Sequence, residues 1–197
     1  EEYGGQGGDY FALGLAIEAL GRVDQSLAIT LEAGGSLGAM PVFQFGTPAQ
    51  KEELLPDLPS GAALAGFGLT EPEAGSDAGA TRTTARLDGD EWVINGAKQF
   101  ITNSGTAITR FVTVTAVTGE RDGAKEISTI IVPNGTPGFT VGPAYDKVGW
   151  HASDTHPLTF AGARVPAGNL LGERGRGFAN FLHILDEGRI AIAALAT

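Results

Sequence analysis

The hydrophobic period changes twice along this 197-residue chain, and these changes limit the folds open to it. Residues 9 to about 56 have helical spacing, residues 62 to about 165 have the strands and turns of a sheet, and a helical period returns from about Gly177. Separate helical and strand segments predict an α+β fold with segregated layers. We expect an N-terminal helical segment (residues 1–60), an antiparallel β-barrel-like middle domain (61–168) and the start of a C-terminal helical bundle (169–197).

Cap residues indicate where the N-terminal helices begin. Asp9 is a candidate N-cap of the first helix, and the second helix is expected to start near Asp24 or Ser26. Thr47-Pro48-Ala49-Gln50 combines an N-cap threonine, a proline at the first helical position and a glutamine that closes a capping box. These signals predict three helices before the sheet.

Turn dipeptides and β-branched residues indicate the strands of the middle segment. Asp88-Gly89 and Asn95-Gly96 each predict a hairpin turn. Residues 80–87, 111–117 and 127–132 are the expected strands. Their spacing favours an antiparallel sheet or barrel.

Charge and composition exclude several classes of function. A net charge of −10, with 13 scattered Lys and Arg residues, argues against binding to nucleic acid or to an anionic membrane. No apolar stretch approaches the roughly 20 residues of a membrane helix. The first residues lack the pattern of a signal peptide, so none is expected. The absence of cysteine removes thiolate metal sites, and the histidines lack partners at ligand spacing, so no metal site is expected.

One stretch joins a strand to a turn that is rich in hydrogen-bond donors. In residues 67–77 (FGLTEPEAGSD), the Thr70 and Ser76 hydroxyls and the nearby backbone amides suit an anion or a polar heterocycle. An ordinary strand exit, in which Ser76 or Asp77 caps a turn, explains the same spacing. The stretch alone therefore leaves both interpretations open.

A second stretch, residues 92–103 (WVINGAKQFITN), offers an aromatic ring beside a hydroxyl. The Phe100 ring and the Thr102 hydroxyl together suit a planar cofactor. The competing interpretation places Phe100 in the core, on the inner face of a sheet.

Together the two stretches resemble the acyl-CoA dehydrogenase family. The family pattern T-E-P-x-A-G-S-D begins at Thr70, and I-N-G-x-K-x-F-I-T-N follows 24 residues later. The similarity continues through residues 3–8, 45–51, 147–155, 165–172 and 185–189. It therefore spans nearly the whole chain, in the family's order.

The resemblance implies an enzyme with FAD as its cofactor. In this family an acyl-CoA thioester is dehydrogenated to the trans-2-enoyl-CoA, with removal of the α-proton by a carboxylate and hydride transfer to flavin N5. The implied cofactor-binding residues are Phe67, Gly68, Leu69, Thr70, Gly75, Ser76, Phe100, Ile101 and Thr102. Residues 100–102 are expected to cover one face of the isoalloxazine ring, with Thr102 near N5. The family often has Trp where Phe100 stands, so a hydrogen bond from an indole N–H is not expected here.

The resemblance also implies substrate contacts by Ser76, Asp186 and Arg189. Ser76 is expected beside the pantetheine arm, and the other two beside the CoA moiety. The spacing of Asp186 and Arg189 is equally consistent with an exposed i, i+3 ion pair. His151, which stands where the family commonly has Arg, receives no catalytic role.

No catalytic base is expected within these 197 residues. In most of the family the base lies deep in the C-terminal domain, and in a minority it directly precedes the arginine that matches Arg189. That position is Gly188 here, and Glu187 lies about 100° around the helix and is expected to point elsewhere. Both ends of the chain look cut from a longer one, so we expect this segment alone to be inactive and to retain FAD weakly.

Two other functions stay open. One is an acyl-CoA oxidase or flavin monooxygenase on the same fold, and the other is a non-catalytic binding module. The partners that the resemblance implies are an acyl-CoA substrate, an electron-transfer flavoprotein as electron acceptor, and further copies of the chain in a homodimer or homotetramer. The implied compartment is the cytoplasm, or the mitochondrial matrix in a eukaryote.

Overall fold

In the computed structural model, which describes residues 2–197, the N-terminal part of the chain is helical. Helix α1 covers Tyr10–Gly21, α2 covers Gln25–Glu32, a π-helix covers Ala33–Ala39, α3 covers Met40–Phe45 and α4 covers Pro48–Leu54. The prediction of helices between residue 9 and about residue 56 is confirmed.

Side chains cap three of these helices at the predicted positions. Asp9 and Asp24 accept hydrogen bonds from amides of the first turn, at 2.8 and 2.7 Å. The Thr47 hydroxyl accepts from the Gln50 amide at 3.2 Å, and the Thr47 amide donates to the Gln50 side chain at 2.9 Å. The capping box is therefore complete, and the N–H groups that a helix leaves unpaired are partly satisfied.

Helix α2, the π-helix and α3 form one continuous helical run, Gln25–Phe45. It has 21 residues, with a window of mean hydropathy 1.2, and its length and composition would allow it to cross a membrane. The sequence interpretation found no apolar stretch of that length and missed this run. Half of the window is buried inside the protein, as in a core helix, so the run is weak evidence for a membrane span.

The middle of the chain forms one eight-stranded sheet. The strands are β1 (Leu64–Gly68), β2 (Thr84–Asp88), β3 (Glu91–Thr102), β4 (Thr109–Arg121), β5 (Ala124–Pro133), β6 (Phe139–Val141), β7 (Thr155–Pro166) and β8 (Leu170–Leu171). Their order is β6-β7-β3-β2-β4-β5-β8, and β1 pairs with β4. The pairs β3–β7 and β4–β5 are long and antiparallel. Strand β1 instead runs parallel to β4, because it enters the sheet from the helices and not through a hairpin.

The hairpin turn predicted at Asn95-Gly96 is wrong. Strand β3 continues through both residues, and its register with β7 shifts there, so the dipeptide forms a bulge. Gly96 has φ +148°, and a Cβ on it would lie 2.4 Å from the Thr83 hydroxyl. Glycine is needed here for close approach to a neighbouring segment, a requirement that the dipeptide alone does not separate from a turn.

The other strand predictions fare better. Asp88-Gly89 does connect β2 to β3, with φ +65° at Gly89. The strands predicted over residues 111–117 and 127–132 lie inside β4 and β5. The strand predicted over residues 80–87 begins only at Thr84, because Ala78–Ala80 form a short 3₁₀ helix.

Three clusters of buried side chains stabilise the sheet and the helices. One of them packs the helices against the sheet and contains Val42, Leu54, Leu55, Ala65, Phe111, Ile131 and Leu171. The β core contains Ala85, Trp92, Ile94, Ile101, Val112, Val114, Ala116, Ile130, Val132, Leu158, Phe160, Ala163 and Val165. The smaller helical core contains Ile17, Ala28, Ile29, Ala191 and Leu195. Helix α5 (Gly177–Leu195), which was expected from about Gly177, contributes to the helical core and packs along α1 and α2. The α+β fold class is confirmed.

Candidate functional site

Backbone contacts bring the two sequence motifs together where β1 ends beside β3, and we call this place the open edge. The Gln99 amide of β3 donates to the carbonyl of Thr70, just after β1, at 2.9 Å. At Gly66 in β1, an added Cβ would lie 3.3 Å from the carbonyl oxygen of Thr102. The donor-rich turn and the segment around Phe100 are therefore neighbours in space.

A buried ion pair fixes this arrangement. The Lys98 and Glu71 side chains are 0% and 4% exposed, and the Lys98 Nζ lies 2.7 Å from Glu71 Oε1. Lys98 also donates to the Leu69 carbonyl at 3.1 Å and to the Thr115 hydroxyl at 3.0 Å. All three N–H groups of the ammonium thus have an acceptor, as a buried charge requires. Strand β3 is thereby tied to the turn that follows β1.

The environment keeps both members of this pair charged. Burial raises the pKa of Glu71, but the Lys98 ammonium and the backbone amides of Arg82 and Thr83 outweigh burial, and its pKa lies below the ordinary value. Those two amides donate to the Glu71 carboxylate at 2.7 and 3.1 Å. Burial lowers the pKa of Lys98 to about 8 against the opposing effect of Glu71, which leaves the ammonium protonated at neutral pH.

A second bulge in β3 directs the aromatic residue of the motif outward. The register between β3 and β7 breaks between Lys98 and Ile101. Phe100 adopts φ +60° and Asn103 φ +59°, a left-handed conformation that is rare for a bulky side chain. Such strain is found at functional sites, where the surrounding structure maintains it. The Phe100 side chain is 58% exposed, and its ring lies 5.0 Å from that of Tyr145. Its interpretation as a core aromatic is wrong.

The remaining residues predicted to bind the cofactor fall into two groups. Ser76 and Gly75 are exposed, and Thr70 and Thr102 are half-buried, so all four border the open edge. The side chains of Leu69 and Ile101 are buried instead, Ile101 within the β core.

Of the two further motif positions, Gly68 is buried and Phe67 is half-buried. A Cβ on Gly68 would lie 3.1 Å from the Thr113 carbonyl. The Phe67 ring stacks on Phe181 of α5, with centroids 3.7 Å apart. At the buried positions, contacts with a bound cofactor would come from backbone atoms. Phe67 packs the motif strand β1 against α5.

The acidic and basic residues of α5 divide by face. Asp186 and Arg189 are each 79% exposed, and their charged groups are 3.9 Å apart. Glu187 points toward the other helices, where it accepts hydrogen bonds from Tyr10 of α1 and from Gln44 of α3, the latter at 3.1 Å. Burial and Glu187 together raise the pKa of Tyr10. Glu187 therefore joins three helices and points away from Gly188, as expected.

This edge of the sheet suits a flat heterocycle with polar margins. It presents the Phe100 ring, the nearby hydroxyls of Thr70, Ser76 and Thr102, and backbone held by a buried ion pair. Fixed dipoles of this kind stabilise charge that develops on a bound ring without reorganising. Within residues 2–197, no group of three His, Asp or Glu side chains is placed to hold a metal ion.

Sequence reasoning did not find the residues that hold the site together. Lys98 and Glu71 both stand inside the motifs, but nothing in their spacing shows that they pair across 27 residues. A lysine within a strand of apolar alternation was the available signal, since a buried lysine needs a partner. Asn103 and Tyr145 carried no signal that a single sequence reveals.

Family models match most of the chain. Residues 1–62 match the acyl-CoA dehydrogenase N-terminal domain, and residues 66–163 match the acyl-CoA dehydrogenase middle domain. The probable acyl-CoA dehydrogenase YngJ of Bacillus subtilis is 53% identical over all 197 residues, which correspond to 51% of that protein. The chain spans about half the length of the curated relatives it matches.

Solved structures share the fold over almost the whole chain. Butyryl-CoA dehydrogenase from Megasphaera elsdenii is 46% identical with a TM-score of 0.92, covering 99% of this chain and 51% of that one. A chain from a study of the electron transferring flavoprotein of Acidaminococcus fermentans is 45% identical with a TM-score of 0.93, covering 99% and 51%. An acyl-CoA dehydrogenase from Bacillus anthracis complexed with FAD is 39% identical with a TM-score of 0.89, covering 98% and 32%.

Proposed function

The chain belongs to the acyl-CoA dehydrogenase family, and on this premise we propose that the full-length protein is an FAD-dependent acyl-CoA dehydrogenase. Its reaction is the α,β-dehydrogenation of an acyl-CoA thioester to the trans-2-enoyl-CoA. The observation that carries the proposal is the junction of both motifs at one open edge by the buried Lys98–Glu71 pair. A module that binds no flavin has no need of two motifs held in this way.

The residues of this edge fit the isoalloxazine ring of FAD. Phe100 offers an exposed flat face, Thr70, Ser76 and Thr102 offer hydroxyl donors, and residues 67–69, 75 and 101 supply backbone around them. When bound, FAD supplies the acceptor for the hydride that leaves the β-carbon. The part of the protein is to hold the ring, to place donors where negative charge develops and to exclude water. The solved relative from Bacillus anthracis, which contains FAD, supports this assignment.

We place the catalytic base outside residues 1–197. Position 188, which precedes Arg189, is a glycine, and Glu187 is occupied by Tyr10 and Gln44. Asp186 and Arg189 lie on the exposed face of α5, where they are available to a CoA moiety. The charge of Arg189 suits a phosphate-bearing ligand.

We further propose a short acyl chain as the substrate and an electron-transfer flavoprotein as the electron acceptor. The likeness to a butyryl-CoA dehydrogenase supports the first, and the likeness to a chain studied with an electron transferring flavoprotein supports the second. The assembly we propose is a homodimer or homotetramer.

The test is an anaerobic titration of the full-length protein with acyl-CoAs of increasing chain length, following the flavin absorbance near 450 nm. Bleaching by one class of chain length is expected, and it identifies both the chemistry and the substrate. Bound flavin that no acyl-CoA bleaches contradicts the proposal and favours a monooxygenase. A full-length protein that takes up no flavin favours a binding module. Rapid oxygen uptake during turnover identifies an oxidase.

A further inference from the structure

His156, the second residue of β7, has a hydrogen-bond partner at each nitrogen of its ring. Its side chain is 12% exposed. The Nδ1 atom lies 2.7 Å from the carbonyl oxygen of Gly142, and the Nε2 atom lies 2.7 Å from Oδ1 of Asp154. The ring thus bridges the segment that follows β6 and the carboxylate that directly precedes β7.

Both partners of the ring accept hydrogen bonds and donate none. A backbone carbonyl has no proton to give, and the other carboxylate oxygen of Asp154, Oδ2, accepts from the Gly105 amide at 2.8 Å. Imidazole is a stronger base than a carboxylate, so the proton between His156 and Asp154 belongs to the ring. Both contacts of the ring are therefore satisfied when each ring nitrogen carries a proton, and both are then charge-assisted.

Asp154 extends this contact to the turn that follows β3. Its carboxylate holds the Gly105 amide, and its backbone carbonyl accepts from the Asn103 amide at 3.2 Å. A Cβ added at Gly105 would overlap the imidazole ring of His156. The φ of Gly105 lies outside the left-handed region, so glycine is needed there for space. The turn and the ring are thus fitted closely to each other.

The Gly142 carbonyl belongs to the segment that supports Phe100 from the other side. In that segment the Tyr145 amide donates to the Thr155 carbonyl of β7 at 3.1 Å. The ring of Tyr145 lies 5.0 Å from the ring of Phe100. His156 therefore lies between two supports of the open edge, the Tyr145 segment and the turn after β3.

The backbone between these two supports is strained. Phe100 and Asn103 have φ +60° and +59°, and such residues keep this conformation only where the surrounding structure enforces it. The Cα partner of Ile101 in β7 is His156 itself. The hydrogen bonds of His156 thus act on both flanks of residues 100–102.

We propose that His156 is a positioning residue of the flavin site, which holds residues 100–102 in place through Asp154 and the Gly142 carbonyl. This inference rests on the proposed function, in which residues 100–102 cover the isoalloxazine ring. His156 acts through its neighbours and not on the reacting atoms. Its effect is on the positions of Phe100 and Thr102, because donors that are fixed in place stabilise the charge of the reduced ring without reorganising.

The experiment uses the full-length flavoprotein and measures the rate of FAD release and the reduction potential of the bound flavin. His156→Ala removes both hydrogen bonds of the ring, so FAD release is expected to become roughly tenfold faster. The potential is expected to fall by about 30 mV, which equals a tenfold weaker hold on reduced than on oxidised flavin. A residue that only stabilises the fold would leave the potential of the retained flavin unchanged.

Asp154→Asn is the matched variant. Its amide nitrogen can donate to Nε2 of a neutral His156 while its oxygen accepts from the Gly105 amide, so all three hydrogen bonds persist without the charges. The rate of FAD release is expected to stay within about threefold of the parent, and the potential within about 15 mV. Gly105→Ala displaces the imidazole ring and is expected to reproduce the effect of His156→Ala. His151→Ala, at an exposed position before β7, controls for the loss of a histidine.

A folded His156→Ala flavoprotein with the parent's release rate and potential overturns this inference and leaves the proposed function intact. Faster release with an unchanged potential also overturns it, because His156 then only stabilises the fold. A change in Asp154→Asn as large as that in His156→Ala overturns it too, since the charges of the pair, and not its hydrogen bonds, would then act on the flavin.

A parent protein that takes up no flavin overturns the proposed function as well. If His156→Ala does not fold, His156→Gln replaces it. The glutamine keeps a donor for one of the two partners, so the same directions are expected with smaller changes.

Discussion

The sheet and the helical layer of this protein differ in how fully their apolar side chains are buried and their buried charges are paired. The β core is the larger of the two, and the buried charge of the sheet, Lys98, has a full set of acceptors. The helical core is small, and the helices around it keep large apolar side chains in the open, such as Phe11 at 75% and Ile190 at 59% exposure. The helical layer also contains the buried carboxyl of Glu32, whose pKa is raised by burial. The sheet thus satisfies its buried charge with its own groups, whereas the helices leave large apolar side chains exposed.

The largest effect is expected from removing the buried charge of Lys98 from the sheet. Lys98→Ala leaves Glu71 buried without its cation, which is expected to lower the free energy of unfolding by about 3–5 kcal/mol. It also releases the Leu69 carbonyl, so the retention of flavin is expected to fall. Chemical denaturation of the full-length protein and its flavin-to-protein ratio measure the two effects.

Two control variants distinguish the effect of losing the ion pair from the effect of losing any lysine. Lys51→Ala, on α4, removes a lysine that stacks on Phe43 and is expected to cost much less. The double variant Lys98→Met/Glu71→Gln removes both charges and is expected to be more stable than Lys98→Ala alone. A loss below about 1 kcal/mol in Lys98→Ala would show that the sheet does not depend on the pair.

Much of the fold could be predicted from the sequence because its signals are local. Asp9, Asp24 and the Thr47 capping box act within one helical turn, and the structure contains all three caps. Asn95-Gly96 failed because a glycine with positive φ serves a bulge as well as a turn. Only the neighbouring Thr83 decides between them, and it lies in a different segment, just before β2.

The candidate site likewise has features that the sequence predicts and features that only the tertiary structure shows. The hydroxyls and the aromatic ring of the motifs are visible in the sequence, since residue type alone gives their chemistry. The pairing of Lys98 with Glu71 and the left-handed φ of Phe100 depend on the register between strands far apart in the chain. The facing of Glu32 and Gly188 depends on how α2 meets α5, which no period encodes.

A second test uses pH to expose the incomplete helical layer. Burial raises the pKa of Glu32 from 4.5 to about 7, so the folded protein binds a proton there that the unfolded chain releases. The stabilisation is complete below pH 4.5 and is lost as the pH rises through 7, by up to about 3 kcal/mol. Denaturation between pH 5 and 7.5 measures this slope, and Glu32→Gln is expected to flatten it.

The pH window separates the two regions. The pKa of Glu71 is lowered, so its contribution to the free energy of unfolding is lost only as the pH falls below about 4.5. Lys98, with a pKa of about 8, changes its contribution only above the window, where stability rises with pH. A slope that persists unchanged in Glu32→Gln would assign the pH dependence to other groups.

The smallest effect on stability is expected on the exposed face of α5. Arg189→Ala breaks an ion pair whose members are each 79% exposed, so the free energy of unfolding is expected to change by less than about 0.5 kcal/mol. If Arg189 contacts the CoA moiety, KM for acyl-CoA rises roughly tenfold with kcat unchanged, because such a contact serves ground state and transition state alike. Arg22→Ala on α1, which breaks a similar exposed pair with Glu18, is expected to leave KM unchanged. Equal and small stability changes with no change of KM in either variant would reduce Asp186 and Arg189 to a solvated ion pair. A rise of KM in Arg189→Ala alone would show that the helical layer binds ligand on its open face as well.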